Sequence, residues 1–286
     1  MTPRFHTTGL AAAALAMITA LAACSSSGST ANHPAATPKT LHILVTNDDG
    51  FDAPGIDIVT EALRKIPQAK VTVVAPATNK SGTGSQTTTG DLTASKRQTA
   101  SGYPATAVDG FPADAVRYAL ETMNVKPDVV VSGINAGQNL GPITGVSGTV
   151  GAAKAAASRG IPAIASSQGL VPGIDPQYTA GAGLVSDWLH ARWSGLLAHQ
   201  VTADVVNLNI PTCATAKLRG VKQAPLATDG ANAVDPANCD STVTDLPTDV
   251  TAFHNGYASV TELTKTGQTV TTSTTWPSTG PAGPKK

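Results

Sequence analysis

Three short polar clusters in this chain carry side chains able to do chemistry. They are Asn47-Asp48-Asp49-Gly50, Ser81 in a loop rich in Ser, Thr and Gly, and Asn135 in Ser132-Gly133-Ile134-Asn135. Each follows an apolar run of strand length. Adjacent carboxylates at a strand end repel each other and need compensation. A divalent cation is the simplest partner, and oxygen ligands from Asp, Asn and Ser suit a hard ion such as Mg²⁺ or Mn²⁺. Such an ion polarises a phosphoryl oxygen and lowers the pKa of a bound water. Taken alone, Asn-Asp-Asp-Gly is also ordinary turn chemistry. A fourth cluster, Ser147-Gly148-Thr149, opens an expected helix, where free N–H groups and the dipole suit a phosphate. A plain N-cap is the alternative reading. The Gly-rich stretch Gly137 to Gly141 lacks the Lys-Ser/Thr ending of a Walker loop.

These clusters need a scaffold that brings strand ends together. Leu41–Thr46, Val71–Ala75, Ala105–Val108, Asp128–Ser132, Pro162–Ser166 and Val205–Ile210 read as short buried strands. Between them, Pro54–Ile66, Pro112–Met123, Thr149–Arg159 and Ala180–Leu197 carry apolar residues at helical spacing, and Gly160 is placed to end the third. The alternation predicts an α/β fold, a Rossmann-like doubly wound and mostly parallel sheet. Ligands of such sheets bind beyond the carboxyl ends of the strands, where all the clusters fall. Aromatic residues make up only 4% of the chain, so the core is expected to be Val, Ile, Leu and Ala. Residues 217–264 are less regular and are expected to form a hairpin-like C-terminal extension. Residues 265–286, rich in Thr, Ser, Gly and Pro, are expected to be a disordered tail.

The charge balance is zero, with 19 basic and 19 acidic residues, which argues against a nucleic-acid polymer as the partner. The N-terminus reads as an export signal: Arg4, an apolar run from Gly9 to Ala20, then Leu21-Ala22-Ala23-Cys24. The small residues before Cys24 resemble a bacterial lipobox. The resemblance implies a lipoprotein signal peptide over 1–23, lipidation of Cys24 and an extracytoplasmic protein anchored to the cell membrane. Residues 24–40 then form a flexible tether ahead of a domain over 41–264. In an oxidising compartment Cys213 and Cys239 could pair, or remain two free thiols.

Read together, the clusters carry a family signature. Leu44-Val-Thr-Asn-Asp-Asp-Gly50 with Ala53-Pro54-Gly55-Ile56 resembles the opening of the SurE family. Val73-Val-Ala-Pro76 with Asn79-Lys80-Ser81-Gly82 resembles its second motif, and Val131-Ser-Gly-Ile-Asn-Ala-Gly137 with Asn139-Leu140-Gly141 and Ser147-Gly148-Thr149 its third. Phe111-Pro112-Ala113-Asp114 resembles a further family segment, and Gly256-Tyr257-Ala258-Ser259-Val260-Thr261 its late strand. The resemblance implies a metal-dependent 5′/3′-nucleotidase that hydrolyses nucleoside monophosphates. It implies one divalent ion, Mg²⁺ or Mn²⁺, held by Asp48, Asp49, Ser81 and Asn135, with Asp48, Asp49 and Asn135 catalytic. Asn47, Gly50, Gly82, Ser147, Gly148 and Thr149 would shape the phosphate pocket. It further implies a homodimer or tetramer built through the C-terminal arm, where Asp249 and His254 are either catalytic helpers or solvated loop residues. Other small phosphomonoesters, or a binding protein without catalysis, remain alternative readings. The chain departs from the family at Ala77, where an acidic residue is usual, and at Phe111, where a small one is. Residues 226–249 hold no aromatic or basic side chain to receive a base.

Overall fold

A computed structural model of the chain describes residues 39–215, 217–270 and Trp276. The export signal, Cys24 and nearly all of the tether lie outside the described residues. The strands are β1 (Leu41–Thr46), β2 (Ala69–Pro76), β3 (Ala94–Gln98), β4 (Pro104–Val108), β5 (Val129–Ala136), β6 (Ala163–Gln168), β7 (Val205–Ile210), β8 (Val221–Gln223) and β9 (Ala258–Leu263). The helices are α1 (Pro54–Leu63), α2 (Pro112–Arg117), α3 (Gly148–Ala157), α4 (Tyr178–Leu197) and α5 (Asp249–His254). One nine-stranded sheet runs in the order β3-β4-β2-β1-β5-β6-β7-β9-β8. The six strands from β4 to β7 are parallel, while β3 and β9 join antiparallel at either side. The expected Rossmann-like sheet is therefore present.

The side chains of each strand divide between two cores, as the period of two requires. Ile43, Val45, Val129, Val131, Leu208 and Ile210 pack with α1 and α4 through Ile56, Val59, Val185, Trp188 and Leu189. Leu44, Val74, Val130, Ala163 and Val205 face α2 and α3, whose contact surface is Ala115, Val116, Val150, Ala152, Ala153 and Ala156. Alanine in α3 lets the helix lie close against the sheet. That closeness brings its N-terminus down to the strand ends.

Three expectations change. Strand β5 does not stop at Ser132 but continues through Asn135 and Ala136, with a register shift against β6 between Ser132 and Asn135. Gly133 allows this: its φ is +129°, and any Cβ there would collide with the Ser166 carbonyl and lie 2.7 Å from Ser166 Oγ. The helix from Pro112 keeps α-geometry only to Arg117 and continues as a π-turn over Tyr118–Thr122. The C-terminal extension is not a separate hairpin, because β9 pairs with β7 and carries β8 into the same sheet. Beyond β9 the chain turns back through a Leu263–Thr269 bridge, so order reaches past Thr264. Cys213 and Cys239 form a disulfide, with Cα atoms 5.6 Å apart. Among the described residues no helix is long and apolar enough to cross a membrane.

Candidate functional site

The strand order reverses between β1 and β5, and the crevice beyond such a switch point is where ligands of these sheets bind. Asp48 and Asp49 follow β1, Asn135 lies near the end of β5, and Ser81 sits in the loop after β2. The Asp-Asp turn is closed by Asn47, which donates through Nδ2 to Gly50 O at 2.8 Å and accepts from Gly50 N at 3.3 Å. Gly50 has φ +114°, a left-handed conformation that glycine adopts without steric cost. Loop 77–90 is drawn in when Lys80 N donates to Asp48 O at 2.7 Å. It is held further back by Asp114, whose Oδ2 accepts from Thr88 N at 2.8 Å and Phe111 N at 3.0 Å, and by Gly84 N donating to Val146 O at 2.9 Å.

The two aspartates have different surroundings. Asp48 is buried against the start of α3, where Thr149 Oγ1 donates to its Oδ1 at 2.6 Å. A Cβ on Gly148 would lie 2.7 Å from the Asp48 Cβ, so only glycine lets the helix come this close. Burial pushes the Asp48 carboxyl up, while the Thr149 hydroxyl and the backbone of Thr149 and Gly148 pull it down. Asp49 accepts from Ala136 N at 3.0 Å and from Asn79 Nδ2 at 3.5 Å. Burial, and then the charge of Asp48, push its carboxyl up to about 6 against the Ala136 N–H. Neither aspartate has an ion pair with Lys, Arg or His among the described residues. Asn135 spends its Nδ2 on Gly137 O at 2.6 Å, which leaves its Oδ1 as an acceptor-type ligand. Ser81 is exposed, and its backbone N–H is held by Asn79 Oδ1 at 2.8 Å.

This donor set fits a hard divalent ion. It consists of oxygen atoms, and it contains two carboxylates without a cationic partner among the described residues. The expected phosphate pocket is less simple. The Ser147 hydroxyl caps α3 by accepting from Val150 N at 3.1 Å, Thr149 is committed to Asp48, and Asn47 to its own turn. These three side chains are buried and engaged, so they shape the site from behind. Of the glycines, Gly148 makes room for Asp48, and Gly82 is exposed at φ +76° with open space around it.

Asp249 and His254 begin and end helix α5 rather than lying in a loop, with Asp249 buried and His254 partly buried. Asp249 is 0% exposed and accepts from Ala227 N at 2.7 Å, Gly141 N at 2.8 Å and Val250 N at 2.9 Å. Its carboxyl is nevertheless pushed up by burial, against those N–H groups. His254 has a buried Nε2 without a hydrogen-bond partner. A second buried network escaped the sequence reading. Asn139 donates through N to Asn209 Oδ1 at 2.6 Å and through Nδ2 to Ser167 Oγ at 2.8 Å, while its carbonyl accepts from Asn207 and Asn209. The signal was there: Asn207 and Asn209 alternate with Val206, Leu208 and Ile210, which marks one polar strand face. Hollows of about 580 Å³ beside Pro127 and Asp128 and about 260 Å³ beside Pro162 and Asp204 lie at the strands' other end and include none of these residues.

Known proteins resemble this chain in sequence and in fold. The family model described as Survival protein SurE matches residues 43–232. The chain is 39% identical over 189 residues to the 5′-nucleotidase SurE of Carboxydothermus hydrogenoformans, covering 63% of this chain and 69% of that protein. It is 39% identical over 187 residues to the 5′-nucleotidase SurE of Methanocella arvoryzae, covering 62% and 69%. The crystal structure of the SurE protein from Aquifex aeolicus superposes with a TM-score of 0.63 at 30% identity, covering 78% of this chain and 93% of that one. The chain belongs to the SurE family.

Proposed function

We propose that this chain is a metal-dependent phosphomonoesterase acting on nucleoside monophosphates, a 5′/3′-nucleotidase. The observation that carries the reading is the pair Asp48 and Asp49, withdrawn from water at the switch point with no ion-pair partner among the described residues. Two neighbouring carboxylates in that position are stable together only with an added proton or an added cation. Relatives at 39% identity are named 5′-nucleotidases, which supports the same chemistry here. Asp48, Asp49, Ser81 and Asn135 would hold one Mg²⁺ or Mn²⁺. When bound, the ion supplies Lewis acidity toward a phosphoryl oxygen and toward water.

The protein's own groups do the positioning. Thr149 and the N-terminus of α3 fix Asp48 in place and favour its carboxylate against the burial that pushes it up. Ala136 N–H orients one oxygen of Asp49. Asn135 is turned by its bond to Gly137 so that an oxygen, not the amide NH₂, remains for the ligand. Lys80 lies with Nζ 5.9 Å from the Phe111 ring centre, so the Phe that departs from the family pattern steadies a cation in the loop of Ser81.

The test is phosphate release from AMP, GMP and p-nitrophenyl phosphate by the purified protein in Mg²⁺, Mn²⁺ and EDTA. Release that EDTA stops and either ion restores is expected, with the nucleotides preferred. A folded protein that binds Mn²⁺ but releases no phosphate would move the reading to a phosphate-binding protein without catalysis. We extend the proposal to location: Cys24 anchors the protein to the outer face of the membrane. Cys24→Ser should move it to the soluble fraction, and retention of a correctly processed Cys24→Ser protein in membranes would overturn that.

A further inference from the structure

Outside the cluster of proposed ligands, one buried titratable group is bonded to the loop that leads into the site. Asp249 opens α5, in the part of the chain that follows the matched family segment. Its two oxygens face different segments. Oδ2 takes Gly141 N at 2.8 Å, and Oδ1 takes Ala227 N at 2.7 Å and Val250 N at 2.9 Å. One carboxylate thus clamps the loop after β5 to the chain leaving β8. The fit is close on the loop side as well. Gly141 has φ +49°, and a Cβ there would meet Asp229 O at 3.1 Å and Ala227 O at 3.2 Å.

Gly141 begins a 3-10 turn, Gly141–Gly145, that leads directly into α3. Within this turn Thr144 Oγ1 donates to Gly141 O at 2.8 Å, and Ser147 N donates to Ile143 O at 3.1 Å. Ser147 then caps α3, and Gly148 and Thr149 press on Asp48. On its other side Gly141 is one residue from Leu140 and two from Asn139, which is fixed to β6 and β7. The turn therefore has one firm end at Asn139 and one clamp at Gly141. From there to the start of α3 the chain is held by that clamp, by Gly84 N on Val146 O at 2.9 Å, and by the packing of α3 in the second core.

We infer that Asp249 is a positioning residue of the active site, setting the α3 N-terminus against Asp48 through the Gly141 turn. The inference rests on the phosphomonoesterase reading. Asp249 lies outside the proposed ligand set, and its oxygens are taken by backbone N–H groups. Its effect is to keep the Thr149 hydroxyl and the helix N–H groups in register with Asp48, whose carboxylate they hold. Misplacements near 1 Å at a reacting centre cost up to about 100-fold in rate.

The experiment compares Asp249→Ala and Asp249→Asn with Asp57→Ala in the full protein. Asp57 is an apt control. It is also buried and accepts three hydrogen bonds, from Thr99 Oγ1, Ser101 N and Ser101 Oγ, but these fasten the turn between β3 and β4. Turnover and the Mn²⁺ concentration giving half-maximal thermal stabilisation are measured at a temperature where every variant is folded. Asp249→Ala should lower kcat by roughly 10- to 100-fold and weaken Mn²⁺ stabilisation by about 10-fold. Asp249→Asn, which keeps one acceptor oxygen, should fall between it and the wild type. Asp57→Ala should lose melting temperature yet keep kcat and the Mn²⁺ response. If Asp249→Ala does not fold, Asp249→Asn carries the comparison. Wild-type kcat and Mn²⁺ response in the folded Asp249 variant would overturn the inference, and so would equal losses in the Asp57 control. A wild-type protein that releases no phosphate overturns the functional reading itself, and the inference with it.

Discussion

Asp49 and Asp249 are carboxylates withdrawn from water near the carboxyl edge of one sheet, and burial pushes both upward. They differ in what receives them. Asp249 has both oxygens saturated by three backbone N–H groups at 2.7 to 2.9 Å. Asp49 has one N–H at 3.0 Å, a long amide contact at 3.5 Å, and a second carboxylate as its sequence neighbour. A carboxylate that braces a fold is given its hydrogen bonds by the chain. One that works on a ligand keeps lone pairs in reserve, and the apoprotein bears the cost. The two should therefore respond to the same substitution with opposite signs in stability.

The largest expected effect is on turnover. Asp48→Asn or Asp49→Asn should lower metal-dependent phosphate release by more than about 100-fold, since even partners of metal ligands are worth 10- to 100-fold. In EDTA the melting temperature of Asp49→Asn should equal or exceed that of the wild type, because a repulsive charge has gone. Asp249→Asn should instead lose about 1–3 kcal/mol, since an amide cannot accept from all three N–H groups. Full activity in either of the first two variants would end the ligand assignment. A fall in the EDTA melting temperature of Asp49→Asn as large as that of Asp249→Asn would erase the contrast.

The next effect concerns the frame around Asp249. The Cys213–Cys239 disulfide joins the chain leaving β7 to the segment before α5, across a separation of 26 residues. A Cβ on Gly256, at φ +78°, would lie 2.7 Å from the Cys239 Cα, so the bond packs directly on the exit of α5. Replacing both cysteines by Ser should cost about 3 kcal/mol, or roughly 6–12 °C in a domain of this size. Calorimetry under non-reducing conditions checks it. An unchanged melting temperature would mean that β9 and α5 are held without the bond.

The same contrast explains what the sequence disclosed. Strands β1, β2, β5 and β7 and helices α1, α3 and α4 were legible because each buries an apolar face with its own period. The placement of Asp48, Asp49 and Asn135 at strand ends was legible because each is a polar break closely after, or inside, such a run, and Ser81 because it falls in the polar loop beyond β2. β3 was missed, since Ala94–Gln98 is an edge strand of largely polar, exposed residues with no apolar face to announce it. The role of Asp249 was illegible for a different reason. Its partners Gly141 and Ala227 are backbone groups 108 and 22 residues away, and no pattern of side chains records a bond to a distant N–H. Thr149 was expected at a phosphate and is found on Asp48, 101 residues earlier, because a helix N-terminus favours any anion, including one the chain supplies itself.

A smaller effect separates the carboxylate pair from ordinary surface acids. The Asp49 carboxyl sits at about 6 in the folded protein, against roughly 3.9 for an unfolded aspartate. The folded state thus holds the extra proton between these values. The stability this contributes is complete below about pH 4 and lost as pH rises through about 6. Asp48 is shifted in the same direction. The melting temperature of the wild type minus that of Asp49→Asn, in EDTA, should fall from pH 4 to pH 7, and Mn²⁺ should reverse the fall at pH 7. A difference that does not change with pH would show that Asp49 is no more strained than a solvated aspartate.

The smallest effect tests whether the start of α3 serves the protein or the ligand. Ser147 is 4% exposed, and its hydroxyl accepts from Val150 N at 3.1 Å. As a cap, its loss in Ser147→Ala costs about 1 kcal/mol. Because the side chain is buried and serves as the helix cap, KM for AMP should change by less than about 2-fold while the melting temperature falls by roughly 2–4 °C. A rise in KM of ten-fold with the melting temperature intact would reverse the assignment. Ser147 would then leave its cap to meet the phosphate, and α3 would present its N-terminus to the substrate as well as to Asp48.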